Sequence, residues 1–426
     1  MLETAYFPRR GGVLHAATMP LPQLAGRYGT PSYVYAAACV TAQLARLRAG
    51  LGSLPHLICY AVKANGNLAL LQHLAAAGIG FDAVSGGELQ RVLRAGGVPQ
   101  QTILSGVGKS DDEIAQAVAA GVLYIAVESA AELRACAELG IAQGRPVPVS
   151  LRVNPDVDAQ THPYIATGLK ESKFGVPMAD AAGLLALAAA HPGLELRGIT
   201  CHIGSQITSL GPFEAAAARL VALARALRQD GIAIHHIGLG GGLGIAYQAT
   251  DRPPTPEAYG QALAAALAPL GLPLILEPGR VLVAAAGLLL TRVVRLKAGD
   301  ERNFVLLDAG MNDLLRPALY GAHHDILPVV AHAGAICQPY DVVGPVCESA
   351  DVFAHARPLP PLQAGDLLAI ADVGAYGAAM ASTYNGRPRA AELWIDGDHC
   401  TEIRVREPVA ALWRDERGLD GRRFGP

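Results

Sequence analysis

The chain has 426 residues, of which 51% are hydrophobic and 17% charged, and its formal net charge is −3. This length favours two domains over one, and the composition is that of a well-buried globular protein rather than a disordered or fibrous one. The small negative charge gives no electrostatic reason to expect nucleic acid or an anionic membrane as a partner.

Signals for export, disulfides or metal binding are weak. The seven cysteines are scattered and form no CxxC pair, which argues against a disulfide framework or a structural zinc site and favours a reducing cytoplasm. The first ten residues carry charges and no apolar core, so we expect no signal peptide. Apolar stretches such as 281–290 are too short to span a bilayer. We therefore expect a soluble cytoplasmic protein without a metal site.

From about residue 56 to 279, short apolar runs alternate with Ala/Leu-rich helical patterns. The apolar runs predict eight strands, at 56–64, 79–85, 101–106, 122–128, 147–154, 195–204, 235–242 and 273–279. The segments between them predict helices at 67–78, 86–96, 111–121, 129–142, 178–191, 212–231 and 256–270. Eight strand–helix units predict a TIM-like (β/α)8 barrel, because an open doubly wound sheet normally has fewer strands.

After residue 280 the pattern changes from helical to β-rich. Strand-like runs lie at 287–297, 303–308, 338–343 and 366–373, and Gly, Pro and Asp turns separate them. Strand-like pieces in the first 35 residues stand outside the barrel count and are expected to pack with these runs. We predict a barrel at 36–280 and a discontinuous β domain, sandwich-like or Greek-key-like, made of residues 1–35 and 281–426.

Polar groups or glycines lie at the ends of six of the eight predicted strands. They are Lys63; Asp82 and Ser85; Arg152 and Asn154; His202 and Ser205; Gly240, Gly241 and Gly242; and Glu277, Gly279 and Arg280. Active sites of such barrels lie at the carboxyl ends of the strands. Any one of these residues alone would fit a structural role, but six sets on one rim predict an active site.

Lys63 ends an apolar run, where a lysine is costly to bury unless it is paired or neutral. It either extends to solvent or is a Schiff-base lysine whose reactivity comes from its setting. Strand alternation would put Cys59, Ala61 and Lys63 on one face, with room for the lysine stem inside the barrel.

The triple glycine at 240–242 is either a tight turn or an anion site, because glycine lets backbone N–H groups approach a phosphate closely. No GxxxxGK[ST] motif supports a nucleotide P-loop. Glu277 is either a strand-end carboxylate paired with Arg280 or the partner of a pyridinium nitrogen. A lysine, a phosphate cradle and a carboxylate on one rim suggest pyridoxal phosphate as the cofactor.

Four motifs resemble the fold-type III pyridoxal-phosphate-dependent decarboxylases: YAVKAN at 60–65, FDAVSGGE at 81–88, HIGSQ at 202–206 and EPGR at 277–280. Three C-terminal segments, DAGMNDLLRPALY at 308–320, CESAD at 347–351 and GAY at 374–376, resemble the diaminopimelate decarboxylase branch of that family. The match runs in order over nearly the whole chain and is loosest in the first 25 residues.

The resemblance implies a role for each polar group around the cofactor. Lys63 would bind the aldehyde, His202 would stack on the ring, and Glu277 would keep the pyridine nitrogen protonated. The phosphate would be held by Ser205, Gly240, Gly241, Gly242, Gly279, Arg280 and Tyr376. Asp82 and Arg152 would orient Lys63 and the ring, although a structural role fits these two residues equally well.

The resemblance also implies a substrate and a partner. Decarboxylation of meso-2,6-diaminopimelate at its D-centre would give L-lysine and carbon dioxide, the last step of lysine biosynthesis. The far end of the substrate would contact Arg280, Arg316, Tyr320, Glu348 and Tyr376. Cys347, by default a small buried hydrophobe, would reach the neighbour's cofactor in a two-fold homodimer and act as the proton donor.

Other readings stay open at this point. A sibling decarboxylase would act on D-ornithine, D-lysine or carboxynorspermidine, and an amino-acid racemase shares the barrel-plus-β plan but fits the CES motif poorly. An inactive regulator of the same fold is disfavoured by the intact Lys63, Cys347 and Glu277. Segment 155–175 has the length and the Gly and Pro content of a mobile lid.

Overall fold

The computed structural model describes residues 5–159, 162, 167–168 and 173–424. About half of the segment predicted to form a lid, 155–175, therefore lies outside the described residues. Contacts between Cα atoms group the chain into two compact units. The barrel unit comprises Gln43–Ile245 and Arg252–Leu282, and the β unit comprises Met1–Ala42, Ala246–Asp251 and Val283–Pro426.

Strands and helices are numbered in chain order. The strands are β1 Arg9–Arg10, β2 Val13–Ala16, β3 Met19–Pro20, β4 Ser32–Ala36, β5 His56–Ala61, β6 Gly80–Ala83, β7 Thr102–Leu104, β8 Tyr124–Val127, β9 Val147–Asn154, β10 Val176–Pro177, β11 Leu194–Thr200, β12 His236–Gly238, β13 Leu274–Leu276, β14 Gly287–Lys297, β15 Phe304–Leu307, β16 Ile326–Pro328, β17 Gln338–Val343, β18 Val352–Leu359, β19 Leu367–Ile370, β20 Ala391–Asp396 and β21 His399–Arg404. The helices are α1 Leu21–Tyr28, α2 Ala37–Leu51, α3 Leu68–Ala76, α4 Gly86–Arg94, α5 Asp111–Ala120, α6 Ala130–Gln143, α7 Met178–Ala190, α8 Gly211–Gln229, α9 Pro256–Leu267, α10 Arg280–Val283 and α11 Arg316–Tyr320.

Within the described residues, eight parallel strands close into a barrel in the order β5-β6-β7-β8-β9-β11-β12-β13, and β13 pairs back with β5. Apolar side chains from β5, β7, β8 and β13 form a buried cluster of Cys59, Ile103, Tyr124, Ala126 and Ile275. Each predicted strand and each predicted helix of the region is present. The predicted barrel is therefore confirmed.

The barrel strands end earlier than predicted, and this changes the setting of Lys63. Strand β5 stops at Ala61, where the Ala61 N–H bonds the Pro278 carbonyl at 3.1 Å instead of a strand partner. Lys63 lies in a one-turn 3₁₀ helix, Val62–Ala64. Strand alternation therefore does not aim the lysine as predicted.

Serine side chains begin three of the helices that follow barrel strands. Ser110 and Glu113 form a complete capping box at α5, and Ser129 caps α6. Ser85 accepts a hydrogen bond from the Glu88 N–H at 3.2 Å and caps α4. Ser85, predicted at a strand end, is thus a helix cap.

The β unit is a mixed sheet built on the long strand β14. The first half of β14 pairs with β4 and its second half pairs with β15. Strand β4, from the N-terminal segment, lies between β14 and β20 and is buried along its whole length. A separate, mostly β unit that includes N-terminal residues agrees with the predicted fold class. Among the described helices, none combines the length and apolarity needed to cross a membrane.

Candidate active site

Lys63 is held at the end of β5 by a buried carboxylate from the next strand. Its Nζ lies 3.0 Å from Oδ2 of Asp82. The Lys63 side chain is 38% exposed, whereas Asp82 is fully buried. The other oxygen of Asp82 accepts a short hydrogen bond from the Ser105 hydroxyl. Asp82 therefore fixes the direction of the amine on a side chain that stays partly exposed, which suits a nucleophilic lysine.

His202 follows β11 and presents a neutral ring. The Gly241 N–H donates to Nδ1 of His202 at 3.2 Å. Burial lowers the pKa of His202 well below its ordinary value, and the positive charges of Lys63 and Arg152 lower it further. Because Nδ1 accepts, the proton of the neutral imidazole is assigned to Nε2.

Glu277 follows β13, and a nearby cation would stabilise the ionised form of its carboxyl group. The pKa of Glu277 is raised to about 8, first by burial and then by repulsion from Asp82, against the attraction of Lys63 and Arg152. A protonated ring nitrogen beside Glu277 would stabilise the ionised carboxylate and lower its pKa again. The chemistry of this carboxyl therefore fits the pyridine end of pyridoxal phosphate.

The triple glycine at 240–242 makes a turn that packs against both of these groups. A Cβ on Gly240, whose φ is +61°, would lie 2.6 Å from Nδ1 of His202, and a Cβ on Gly241 would lie 2.2 Å from the Glu277 carbonyl. Only glycine fits these positions. The Gly241 N–H already donates to His202, so the predicted phosphate site depends on other hydrogen-bond donors.

Arg280 and Ser205 lie together beside that turn. The Arg280 guanidinium donates to the Ser205 hydroxyl at 3.0 Å, and Arg280 is 6% exposed. Gly279 packs closely against the start of the lysine turn, since a Cβ there would lie 3.0 Å from Cβ of Ala64. Gly279, predicted to contact the phosphate, is thus a near neighbour of the lysine segment.

Arg152, on β9, has a buried partner that the sequence did not indicate. Its guanidinium donates to Glu128 at 2.9 Å and lies over the Phe174 ring at 4.9 Å. The second oxygen of Glu128 accepts from the Gly175 N–H at 3.1 Å. Glu128 therefore connects Arg152 of β9 to the backbone of Gly175, and no local sequence pattern predicts this pairing.

Arg316 and Tyr320 are the first and last residues of the short helix α11 in the β unit. A position next to a proline is ordinarily a surface position, yet Arg316 is only 5% exposed. Its guanidinium lies 4.4 Å from the ring centre of Tyr247 and donates to Nε2 of His324 at 2.7 Å. Neither Tyr247 nor His324 was predicted from the sequence.

Three further predicted residues lie in the β unit. Tyr376 is half-buried and has a left-handed backbone, with φ of +57°, which is strained for a tyrosine. Cys347 and Glu348 are both exposed. The Asn385 side chain accepts from the Cys347 N–H at 2.9 Å. A hydrogen bond to Glu348 raises the pKa of the Tyr384 hydroxyl. The adjacent residues Tyr384 and Asn385 therefore contact Glu348 and Cys347, respectively.

Comparison with known proteins identifies the class. Residues 37–284 match the family described as pyridoxal-dependent decarboxylase, pyridoxal binding domain. The chain is thus a pyridoxal-dependent decarboxylase, which confirms the predicted cofactor. It is 48% identical over 409 residues to diaminopimelate decarboxylase of Vibrio cholerae, covering 96% of this chain and 97% of that protein. It is 49% identical over 414 residues to the enzyme of the same name from Pseudomonas aeruginosa, covering 96% and 98%.

Solved structures agree with this assignment. A diaminopimelate decarboxylase from M. jannaschii in complex with L-lysine gives a TM-score of 0.94 at 34% identity, covering 99% of both chains. The Helicobacter pylori enzyme complexed with L-lysine gives 0.89 at 41% identity, covering 92% of this chain and 98% of that one. The chain belongs to the diaminopimelate decarboxylase family, as its motifs predicted.

Proposed function

We propose that the protein is a carboxy-lyase that converts meso-2,6-diaminopimelate to L-lysine and carbon dioxide, the last step of lysine biosynthesis. The observation that carries the proposal is the lysine centre of the barrel unit. Lys63 is fixed 3.0 Å from buried Asp82, close enough to Glu277 to influence its pKa of about 8. Identity of 48% to a diaminopimelate decarboxylase over 96% of the chain supports the choice of substrate.

The barrel residues have distinct tasks in this proposal. When bound, pyridoxal phosphate supplies an electron sink for the electron pair left behind by carbon dioxide. Lys63 would hold the aldehyde end, with Asp82 fixing the direction of its amine. Glu277 would hold the pyridine nitrogen in its protonated form, and the neutral ring of His202 would lie against the cofactor ring without adding a positive charge.

The phosphate would be held by the residues around the glycine turn. Ser205 and Arg280 form one side, with the turn at 240–242, the backbone at Gly279 and the Tyr376 hydroxyl as further contacts. Arg280 is the fixed positive charge of this set and is buried against Ser205. A buried guanidinium is well suited to an anion because it binds oxygen pairs and stays charged.

The far end of the substrate would be recognised by residues of the β unit together with Arg280. Arg316 and Tyr320 would bind the far carboxylate, with Tyr376 as a further contact, and Glu348 would bind the far ammonium. A site of this kind rejects substrates that lack a matching group, because its own polar groups would then be left unpaired.

We also propose that the protein is a homodimer in which Cys347 and Glu348 complete the neighbour's site, and that it works in the cytoplasm. Cys347 would donate the proton that replaces the lost carboxylate on carbon. Both residues are exposed on this chain, and a proton donor must be shielded from water to act selectively. A second chain over this surface would provide that shielding.

Borohydride reduction of the holoenzyme followed by peptide mass spectrometry tests the central claim. We expect the reduced cofactor on Lys63, and a label on another lysine would refute the site. Steady-state release of carbon dioxide should be fastest with meso-diaminopimelate among meso-diaminopimelate, D-lysine, D-ornithine and carboxynorspermidine. Preference for one of the other three would instead support the sibling decarboxylase.

A further inference from the structure

A buried histidine stands directly behind the arginine assigned to the far carboxylate. We infer that His324 is a positioning residue, which fixes the Arg316 guanidinium for recognition of that carboxylate. The inference rests on the substrate role proposed above for Arg316. His324 is 1% exposed and its Nε2 lies 2.7 Å from the Arg316 guanidinium.

Hydrogen-bond directions determine the state of this histidine. A guanidinium has only donors, so Nε2 of His324 must accept from Arg316. The proton of the neutral ring must then be on Nδ1, and Nδ1 lies 2.6 Å from the carbonyl oxygen of Ala371, which can only accept. The ring is therefore held at both nitrogens in one tautomer, and it offers the arginine a neutral acceptor.

Packing around the pair restrains the guanidinium in a second direction. The Tyr247 ring lies beneath it, with 4.4 Å from the guanidinium carbon to the ring centre. His324 meets the same tyrosine edge to face, with 5.2 Å between ring centres. A planar guanidinium fixed by one edge and one face presents its remaining N–H groups in a defined direction.

The acceptor of the Arg316 hydrogen bond is a neutral ring. A neutral imidazole orients the guanidinium without cancelling its charge. Burial raises the pKa of nearby Asp372 to about 7, against the attraction of Arg316. This carboxyl therefore supplies only part of a counter-charge at neutral pH. Arg316 keeps positive charge for an incoming carboxylate.

The product provides a test that needs no turnover. L-lysine keeps the far carboxylate of meso-diaminopimelate, and cadaverine lacks it. Binding of each ligand to the holoenzyme is measured by calorimetry for the native protein and for His324→Asn and His324→Gln. An Asn amide can replace the Nδ1–H donor but not the Nε2 acceptor, whereas a Gln oxygen can reach the Nε2 position. The exposed His332 supplies the control variant His332→Gln.

We expect His324→Asn to weaken L-lysine binding by about 10- to 100-fold, since a charged hydrogen bond is lost. Cadaverine affinity should be unchanged, His324→Gln should recover most of the loss, and His332→Gln should match the native protein. Should His324→Asn not fold, His324→Phe keeps the ring, removes the acceptor, and carries the same expectation. Thermal melting and the cofactor absorbance band report folding and loading.

Two results would overturn the inference. One is an unchanged L-lysine affinity in His324→Asn while Arg316→Met loses it, which would leave the arginine role intact without the histidine. The other is an equal loss for L-lysine and cadaverine, which would make His324 a structural residue. If Arg316→Met itself binds L-lysine normally, the substrate role proposed for Arg316 fails instead.

Discussion

The rim of the barrel and the Cys347 edge of the β unit are built in opposite ways. On the rim, Lys63, His202 and Glu277 come just after barrel strands, and Asp82 lies near the end of β6. These groups act on one another through buried contacts and charge. At the other edge, Cys347 and Glu348 are exposed, and each forms a hydrogen bond with a residue of a neighbouring turn. The groups of the first region contact one another within the barrel unit, whereas the two residues of the second region are exposed.

Removing the lysine should have the largest effect, because the rim is arranged around it. We expect Lys63→Ala to lower kcat by about 10⁴-fold or more, as for other residues that bond covalently during catalysis. Steady-state release of carbon dioxide measures the loss. The exposed Lys297 provides the control variant Lys297→Ala, which should be fully active. Appreciable activity in Lys63→Ala would break the claim that the rim carries the chemistry.

Cys347→Ala should lower kcat by about 10²- to 10⁴-fold with normal cofactor binding, as expected for loss of a proton donor. Cys337 is also exposed, and Cys337→Ala should be unaffected. Mixing Cys347→Ala with Lys63→Ala subunits should restore about one quarter of native activity, because mixed dimers would contain one complete site. No recovery after subunit exchange would place both residues in a site made by one chain.

Glu277 should make the cofactor-free protein less stable as the pH rises. Its pKa is raised from 4.5 to about 8 on folding, so in that window the folded protein keeps a proton that the unfolded chain releases. The free energy of unfolding should therefore fall between about pH 4.5 and 8, by a few kcal/mol. Urea unfolding of native protein and Glu277→Gln at pH 5, 6.5 and 8 measures the difference.

The variant Glu277→Gln should lack that part of the pH dependence. Asp313 and Asp372, whose pKa values burial raises to about 7, titrate in both proteins, so their contribution cancels in the comparison. Half-exposed Glu195 gives the control variant Glu195→Gln, which should follow the native profile. Parallel profiles for native protein and Glu277→Gln would show that Glu277 is ionised in the empty site.

The smallest effect is expected at the turn that supports Cys347. Asn385 has a left-handed backbone, with φ of +58°, so Asn385→Gly keeps the backbone and removes only the acceptor for the Cys347 N–H. We expect kcat to fall by about 3- to 10-fold, the usual value of one hydrogen bond. Asn385→Asp keeps the acceptor and should retain activity. Equal losses in both variants would argue against the hydrogen bond.

Local patterns were sufficient for the barrel but not for the contacts between its loops. The apolar runs located the eight barrel strands, and their polar ends located Lys63 and Glu277. They placed Lys63 inside a strand because an apolar run does not reveal where inter-strand bonding stops. Motif resemblance pointed to Arg316 and Cys347, whose roles stay predictions.

The partners of these residues had no sequence signal. Glu128 lies 24 positions from Arg152 and Asn385 lies 38 positions from Cys347, so neither pairing follows a helical or strand period. His324 is close to Arg316 in sequence, but only folding decides which of its two nitrogens faces the guanidinium. Such side-chain pairings depend on tertiary structure, which periodicity does not encode.

The position of β4 has a consequence for synthesis of the protein. Ser32 of this early strand pairs with Leu290 on one side and with Ala391 on the other. During translation β4 can pair along both of its edges only after nearly the whole chain has left the ribosome. The barrel segment can close before then. Nascent or prematurely terminated chains therefore expose an apolar strand with two open edges, a recognised trigger of aggregation and a natural target for chaperones.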